Sequence, residues 1–183
     1  MTFGFPALLV AALLGRNELL TCAVAAEAER HAQFFDPMAY ICLVEVESEF
    51  NPNAKSKTGD EGLSQVNVAL HGHTFSITEN LRQGASILGK AVARSHGRIL
   101  YALSIYNTGH ISRRGLRYAR RILTLKARLD KAVGRNQPWC NSFFLRLSQQ
   151  GCSFSGPFLP LAVSDKRRRI VWRKSFARRD KDV

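Results

Sequence analysis

The chain has 183 residues and carries 27 Lys and Arg against 14 Asp and Glu, a formal net charge of +13. Its length allows one ordinary domain with terminal extensions, and such a domain buries a working core without metals or disulfides. The 45% hydrophobic content is normal for a globular protein. The basic excess indicates a polyanionic partner: nucleic acid, an anionic membrane surface or an acidic wall polymer.

The cysteine and histidine content argues against a disulfide framework or a metal site. Four cysteines, at positions 22, 42, 140 and 152, are too few and too scattered for a disulfide-dense scaffold. There is no CxxC pair, and two histidines alone, His71 and His73, are too few ligands for zinc. We therefore expect no metal and no cofactor. Cys140 and Cys152 are either two buried free thiols or, in an exported protein, a disulfide.

The first 26 residues resemble an apolar leader. An apolar run extends from Phe3 to Leu14, and AVAA at residues 23–26 suits cleavage by a signal peptidase. No basic residue precedes the run, and RNE at residues 16–18 interrupts it, which argues against a spanning helix of ~20 apolar residues. We interpret residues 1–26 as a signal peptide, which predicts a periplasmic or secreted protein. The alternative is a buried N-terminal helix.

Residues 27–131 are expected to form a helical domain. Apolar residues at helical spacing predict a helix from Ala39 to Glu49, and NPN at residues 51–53 ends it because the residue before proline avoids the α region. Further helices are expected over residues 81–95, 99–106 and 117–131, the first capped by Asn80 or Thr78. No convincing strand alternation is present. The predicted fold is therefore mainly α.

Residues 132–183 form a tail of different composition. Residues 139–154 are largely apolar, and nine Lys or Arg accompany three Asp between positions 165 and 183. Basic blocks of this kind are usually solvated and disordered until they meet a partner. We expect a partly disordered tail that contacts an anionic surface, and we expect a chain lacking residues 157–183 to fold and remain active.

The segment that carries chemistry is ESEFNPNAKS at residues 47–56, followed by GLSQV at residues 62–66. It places the carboxylate of Glu47 in the last turn of an apolar helix, just before a loop. Burial there, together with the negative end of the helix dipole, raises a carboxyl pKa towards neutrality, as a general acid requires. Ser56 and Gln65 are placed to fold back over this carboxyl, where they would position it and bind polar groups of a sugar.

Three acids compete for the catalytic assignment. Glu45, Glu47 and Glu49 are spaced by two on a helix, so their side chains diverge and cannot all face one cleft. Periodicity alone does not choose among them.

The motifs resemble those of the soluble lytic transglycosylases, which have a lysozyme-like fold. The family pattern Glu-Ser-x-Phe/Trp-Asn-Pro, then Ser, then Gly-Leu-Met-Gln, is matched from Glu47 to Pro52, at Ser56 and at residues 62–65. A second pattern, Ala-x-Ala-Tyr-Asn-x-Gly, is matched by ALSIYNTG at residues 102–109. Between them, NLRQGASIL at residues 80–88 resembles a family helix. The chain departs from the family pattern at Ser64, where Met is usual, and at Asn67, where an apolar side chain is common. Both departures imply altered contacts with the sugar.

The resemblance implies roles for individual residues. Glu47 becomes the general acid and base, Ser56 and Gln65 orient the acid and the substrate, and Tyr106 and Asn107 form the facing wall of the saccharide cleft. The Tyr106 hydroxyl is expected near the carboxyl. Without the resemblance, Tyr106 is a core aromatic and Asn107 a helix stop.

The resemblance also implies a mechanism that needs one carboxyl group rather than the usual two. Glu47 would protonate the glycosidic oxygen between N-acetylmuramic acid and N-acetylglucosamine in peptidoglycan glycan strands. It would then deprotonate the muramic C6 hydroxyl, which closes a 1,6-anhydro ring. If Asp60 or Glu61 held a water instead, the enzyme would be a lysozyme-like hydrolase.

The surroundings of the second motif resemble two groups of small transglycosylases. YNTG at residues 106–109, followed by Gly115, Tyr118 and Ile122, is similar to enzymes that accompany type IV secretion and conjugation machines, which become expected partners. Phage virion murein-degrading enzymes are a close alternative. A different class is a non-catalytic protein that binds nucleic acid or an assembly through its basic segments, for which aromatic interleaving is sparse.

Overall fold

The computed structural model describes residues 7–135 and consists mainly of helices, which confirms the predicted fold class. The predictions about Cys140, Cys152 and the basic tail fall outside the described residues, apart from the first four positions of the tail. The helices and strands run in this order: α1 Ala7–Leu14, α2 Glu18–Arg30, α3 Pro37–Ser48, β1 Asp60–Glu61, β2 Val66–Asn67, α4 Val68–His71, α5 Ile77–Arg94, α6 Ile99–Thr108 and α7 Arg113–Arg135.

Helix α3 is the centre of the core. Asp36 caps its N-terminus by accepting a hydrogen bond from the Met38 amide at 2.8 Å, with Pro37 in the first turn. Seven consecutive residues, 38–44, are buried, because α3 packs against both α2 and α7. This all-round burial explains why the sequence shows so little polar character before position 45.

The end of α3 differs from the predicted one. The helix stops at Ser48, and the next two residues, Glu49 and Phe50, have φ values of 52° and 59°. Positive φ is costly for a bulky side chain, and it is sustained here because Phe50 is buried in the core. The chain therefore turns away from α3 one residue after Glu47, before Pro52 takes effect.

Two further expectations from the sequence need correction. The cap of α5 is Ser76, whose hydroxyl accepts a hydrogen bond from the Glu79 amide at 3.1 Å, rather than Thr78 or Asn80. A short antiparallel pair, β1 with β2, joins Asp60 to Asn67 and Glu61 to Val66. Two-residue strands are too short to produce a detectable alternation in sequence.

Residues 7–14 of the N-terminal apolar run form α1, which packs against α2 and α7. Val10 and Ala11 are fully buried, and Val24 of α2 joins the same core. Arg16, in the turn between α1 and α2, extends to the C-terminal end of α3. Within residues 7–135, no helix is both long enough and apolar enough to cross a membrane. Cleavage of a signal peptide at residues 23–26 stays a prediction.

Candidate active site

The carboxyl of Glu47 lies where α3 and α7 meet. Its Oε1 accepts a hydrogen bond of 2.5 Å from the Tyr118 hydroxyl of α7. Burial raises the pKa of Glu47 to about 7, and the negative charge of Asp60 adds to the rise. The Tyr118 hydrogen bond and the positive charge of Arg121 oppose it. A carboxyl with a pKa near neutrality can both donate and accept a proton under physiological conditions.

The structure separates Glu47 from the two neighbouring acids. Glu45 accepts two hydrogen bonds from Arg16, at 2.8 and 2.6 Å, and is therefore held in an ion pair. Glu49 is exposed beyond the end of the helix, with a weaker contact of 3.5 Å to Arg16. Glu47 alone among the three has a desolvated carboxyl that is hydrogen-bonded to a tyrosine.

Tyr118 is a site residue that the sequence interpretation did not assign. The sequence signal for Tyr118 is its spacing from Gly115 in α7. This spacing indicates a family likeness but assigns no role to the tyrosine. Burial and the charge of Glu47 raise the pKa of Tyr118 well above its ordinary value, so the hydroxyl stays protonated and donates. In this structure Tyr118, rather than Tyr106, supplies the hydroxyl that contacts the carboxyl.

Tyr106 instead supports the loop that faces Glu47. Its hydroxyl donates a hydrogen bond of 2.6 Å to the backbone carbonyl of Ser64. Burial, followed by the charges of Tyr40, Glu47 and Asp60, raises its pKa well above the ordinary value. The hydroxyl therefore stays protonated and donates to the loop. Asn107, the next residue, is exposed at the end of α6.

Ser64, which stands where the family usually has Met, is completely buried. The Tyr40 hydroxyl donates to the Leu81 carbonyl at 2.6 Å, so the Ser64 hydroxyl must donate to Tyr40 across 2.8 Å. A Cβ on Gly84 would lie 2.4 Å from the Ser64 Cβ, so α5 needs glycine there. The expected effect of Ser64 on sugar contacts is therefore not supported, because its side chain faces the core.

Ser56 and Gln65 hold the loop rather than the acid. The Ser56 hydroxyl donates to Asp60 at 2.6 Å, and the Gln65 amide nitrogen donates to the carbonyls of Ala54 and Gly62 at 3.1 and 2.9 Å. Ser48 adds a further tie, since its buried hydroxyl lies 2.8 Å from the Leu63 carbonyl. These bonds fix residues 54–65 beside the C-terminus of α3.

The two loop acids already have partners. Asp60 accepts hydrogen bonds from Ser56, Thr58 and Asn67; burial raises its pKa, but these bonds together lower it below the ordinary value. Glu61 contacts His73 at 3.1 Å and Lys55 at 3.2 Å. The amide of Asn67, the second departure from the family pattern, is thus used to hold Asp60. In residues 7–135, no group of three or more His, Cys, Asp or Glu is arranged to bind a metal.

A separate cavity of about 310 Å³ lies at the other end of α3. It is lined by apolar side chains that include Phe34 and Phe35, with Asp36 and Ala39 at the start of the helix. Eight residues separate Ala39 from Glu47, a rise of about 12 Å along the helix. This cavity is therefore not part of the site around Glu47.

Comparison with known proteins gave one family match. Residues 25–122, more than half of the chain, match the model of the transglycosylase SLT domain, and this range contains Glu47, Tyr106 and Tyr118. No curated protein matched the sequence. The matched domain supports a peptidoglycan-degrading function of the lytic transglycosylase type. On the strength of this match, the chain belongs to the transglycosylase SLT domain family.

Proposed function

We propose that Glu47 cleaves the β-1,4 bond between N-acetylmuramic acid and N-acetylglucosamine in two proton transfers. The protonated carboxyl donates its proton to the glycosidic oxygen as the bond from that oxygen to the muramic C1 breaks. The resulting carboxylate then takes the proton of the muramic C6 hydroxyl, and the C6 oxygen bonds to C1. The product is a 1,6-anhydro sugar, and no water is consumed. The single observation that carries this proposal is the desolvated Glu47 carboxyl with a pKa of about 7.

The surrounding residues support a one-carboxyl mechanism. The Tyr118 hydroxyl positions Glu47 by hydrogen bonding to Oε1, which leaves the second carboxyl oxygen for the sugar. We propose that Tyr106 and Asn107 face the saccharide, because they lie at the end of α6 that borders the loop. Ser56 and Gln65 would then act on substrate through the loop that they hold.

Lysozyme-like hydrolysis is the alternative mechanism, and it would require one of the two loop acids, Asp60 or Glu61. A second carboxylate would have to activate a water molecule. Asp60 is a poor base because three donors occupy its oxygens and lower its pKa, and Glu61 is paired with Lys55 and His73. These contacts favour the anhydro product.

Digestion of purified sacculi in oxygen-18 water tests the proposal. We expect 1,6-anhydro-muropeptides with no label at the new terminus, detected by mass spectrometry. Reducing ends that carry the heavy isotope would identify a hydrolase and overturn the assignment. Loss of digestion in Glu47→Gln, with digestion retained in the control Glu49→Gln two residues further along the chain, establishes that the product depends on this carboxyl.

We further propose that the cleavage opens the wall locally for a secretion or conjugation apparatus, which places the enzyme in the periplasm or outside the cell. The support is the resemblance of residues 106–109 and 115–122 to transglycosylases of such machines. The test is complementation of a strain that lacks the protein. Wild type should restore transfer of conjugative DNA or secreted substrate, and Glu47→Gln should not. Recovery of the protein in phage particles would favour the virion enzyme instead.

A further inference from the structure

One side of α7 carries a row of basic side chains that is interrupted at Thr124. At 100° per residue, six of them fall within an arc of about 100° and cover about 27 Å of helix. All six are exposed. We call this row the basic stripe, and its members are Arg113, Arg117, Arg120, Arg121, Arg128 and Lys131.

Helix α7 itself supplies little negative charge to the basic stripe. The only acidic residue of α7 is Asp130, which projects away from the stripe and binds Lys126 at 2.7 Å. Lys126 also binds Asp36 of α3 at 2.7 Å. Within residues 7–135, the side chains of Arg117, Arg120 and Lys131 have no ion pair. Like charges at this density are costly unless an anionic partner binds there.

The stripe borders the site of Glu47. Arg121 follows Tyr118 by one helical turn, and its positive charge lowers the pKa of the Glu47 carboxyl, so the two groups are electrostatically coupled. A polymer lying along α7 would therefore pass the acid at the stripe's edge. Because the stripe borders the site of Glu47, its partner is better explained as the enzyme's own substrate than as a nucleic acid. A nucleic acid has no amino-sugar glycosidic bond for Glu47 to cleave.

The stripe also lacks the side chains that helices use to bind a membrane surface or that grooves use to bind single-stranded nucleic acid. The exposed large apolar side chains of residues 7–135 lie on other segments, such as Phe34, Leu70 and Phe75. A helix that binds a membrane surface presents such side chains beside its basic ones, and a groove for single-stranded nucleic acid presents aromatic rings. The stripe offers five guanidinium groups and the ammonium group of Lys131, and guanidinium groups match the geometry of carboxylates.

We propose that the basic stripe binds the peptide carboxylates of peptidoglycan strands and guides peptide-bearing glycan into the site of Glu47. The inference rests on the proposed function and names the form of substrate that the enzyme prefers. Stem peptides carry carboxylates at regular intervals along the strand, so several positions of the stripe engage one strand at once. The bound strand lies along α7, and its scissile bond reaches the Tyr118 end of the stripe.

The test compares peptide-bearing strands with the same strands after their carboxylates have been converted to neutral amides. The measured quantity is kcat/KM on peptide-bearing strands divided by kcat/KM on the amidated strands. In the full-length chain, the triple variant Arg117→Gln, Arg120→Gln, Lys131→Gln should lower this ratio about tenfold, because KM for the peptide-bearing strands rises. The matched control Lys90→Gln, Arg94→Gln, Arg98→Gln removes the same charge from α5 and the start of α6. It should leave the ratio as in wild type. Added salt should reduce the wild-type ratio as well.

Each outcome separates the two proposals. If wild type cleaves neither substrate, the proposed function fails. If wild type cleaves both and the triple variant has the same ratio as the control, the stripe assignment alone is overturned. It is also overturned if Glu47→Gln binds duplex DNA or anionic phospholipid vesicles more tightly than peptide-bearing strands, with that binding lost in the stripe variant.

Discussion

Tyr118 donates a hydrogen bond of 2.5 Å to Glu47, across 71 positions of sequence. The contact joins the last turn of α3 to the second turn of α7, and it lowers the pKa of the carboxyl on which the proposed chemistry depends. Burial raises the pKa of Glu47 to about 7 even though this hydrogen bond lowers it. The site is thus a balance between desolvation and one donated hydrogen bond.

The first prediction concerns Glu47 itself. Glu47→Gln should reduce sacculus digestion at least ~100-fold, because the amide keeps the shape of the side chain but transfers no proton. Glu45→Gln should retain activity and lose about 1–2 kcal/mol of stability, since it weakens the pair with Arg16. Turbidity assays of sacculi, with urea unfolding of each variant, measure both effects. Digestion by Glu47→Gln at the wild-type rate would show that another residue is the acid.

The second prediction concerns the pH profile of kcat/KM. The free enzyme needs a protonated Glu47, so activity should fall as pH rises through about 7. Tyr118→Phe removes a hydrogen bond that lowers this pKa, and the alkaline limb should therefore move to higher pH. A tyrosine that only filled space would leave the limb where it is. Tyr101→Phe, at a half-buried position of α6 beside Arg98, is the control.

The third prediction concerns stability against pH. The pKa of Glu47 is raised in the folded state from an ordinary value of 4.5, so its contribution favours folding below about 4.5 and is lost as pH rises through about 7. Glu47→Gln should accordingly gain stability relative to wild type over this window, by at most about 3 kcal/mol. Urea unfolding of both proteins at a series of pH values measures the difference. A difference that stays constant with pH argues against a desolvated carboxyl.

The fourth prediction concerns the crossing of α6 and α7. A Cβ on Gly115 would lie 2.2 Å from the Ser104 hydroxyl and 2.9 Å from the Ser104 carbonyl oxygen. Gly115→Ala should therefore push the helices apart, costing about 1–3 kcal/mol and displacing Tyr118 from Glu47. Gly134→Ala, later in the same helix and with nothing within 4 Å, should be neutral or stabilising. Thermal melts and sacculus digestion of the pair test this. Equal melting temperatures for the two variants would contradict the close crossing.

Much of the local structure followed from the sequence. The amphipathic spacing predicted α5 and α7, because a helix that buries one face needs apolar residues at a 3.6-residue period. The apolar residues from Ile99 onwards predicted α6 as a buried helix. Predicted ends were less accurate. Ser76 rather than Thr78 or Asn80 caps α5, because Asn80 is used to bind the Ser64 amide and the Glu61 carbonyl of the loop. That demand comes from a tertiary contact, which local rules do not contain.

The sequence by itself determined the chemistry available at the end of α3: a glutamate in an apolar helix, a turn after it and a polar loop. It did not choose among Glu45, Glu47 and Glu49 without the family resemblance, because the three differ little in local sequence. Tertiary structure distinguished them, since Arg16 neutralises Glu45, Glu49 is exposed, and Tyr118 approaches Glu47 from α7. The pKa of a carboxyl depends on desolvation and on the donors around it, and distant parts of the chain supply both.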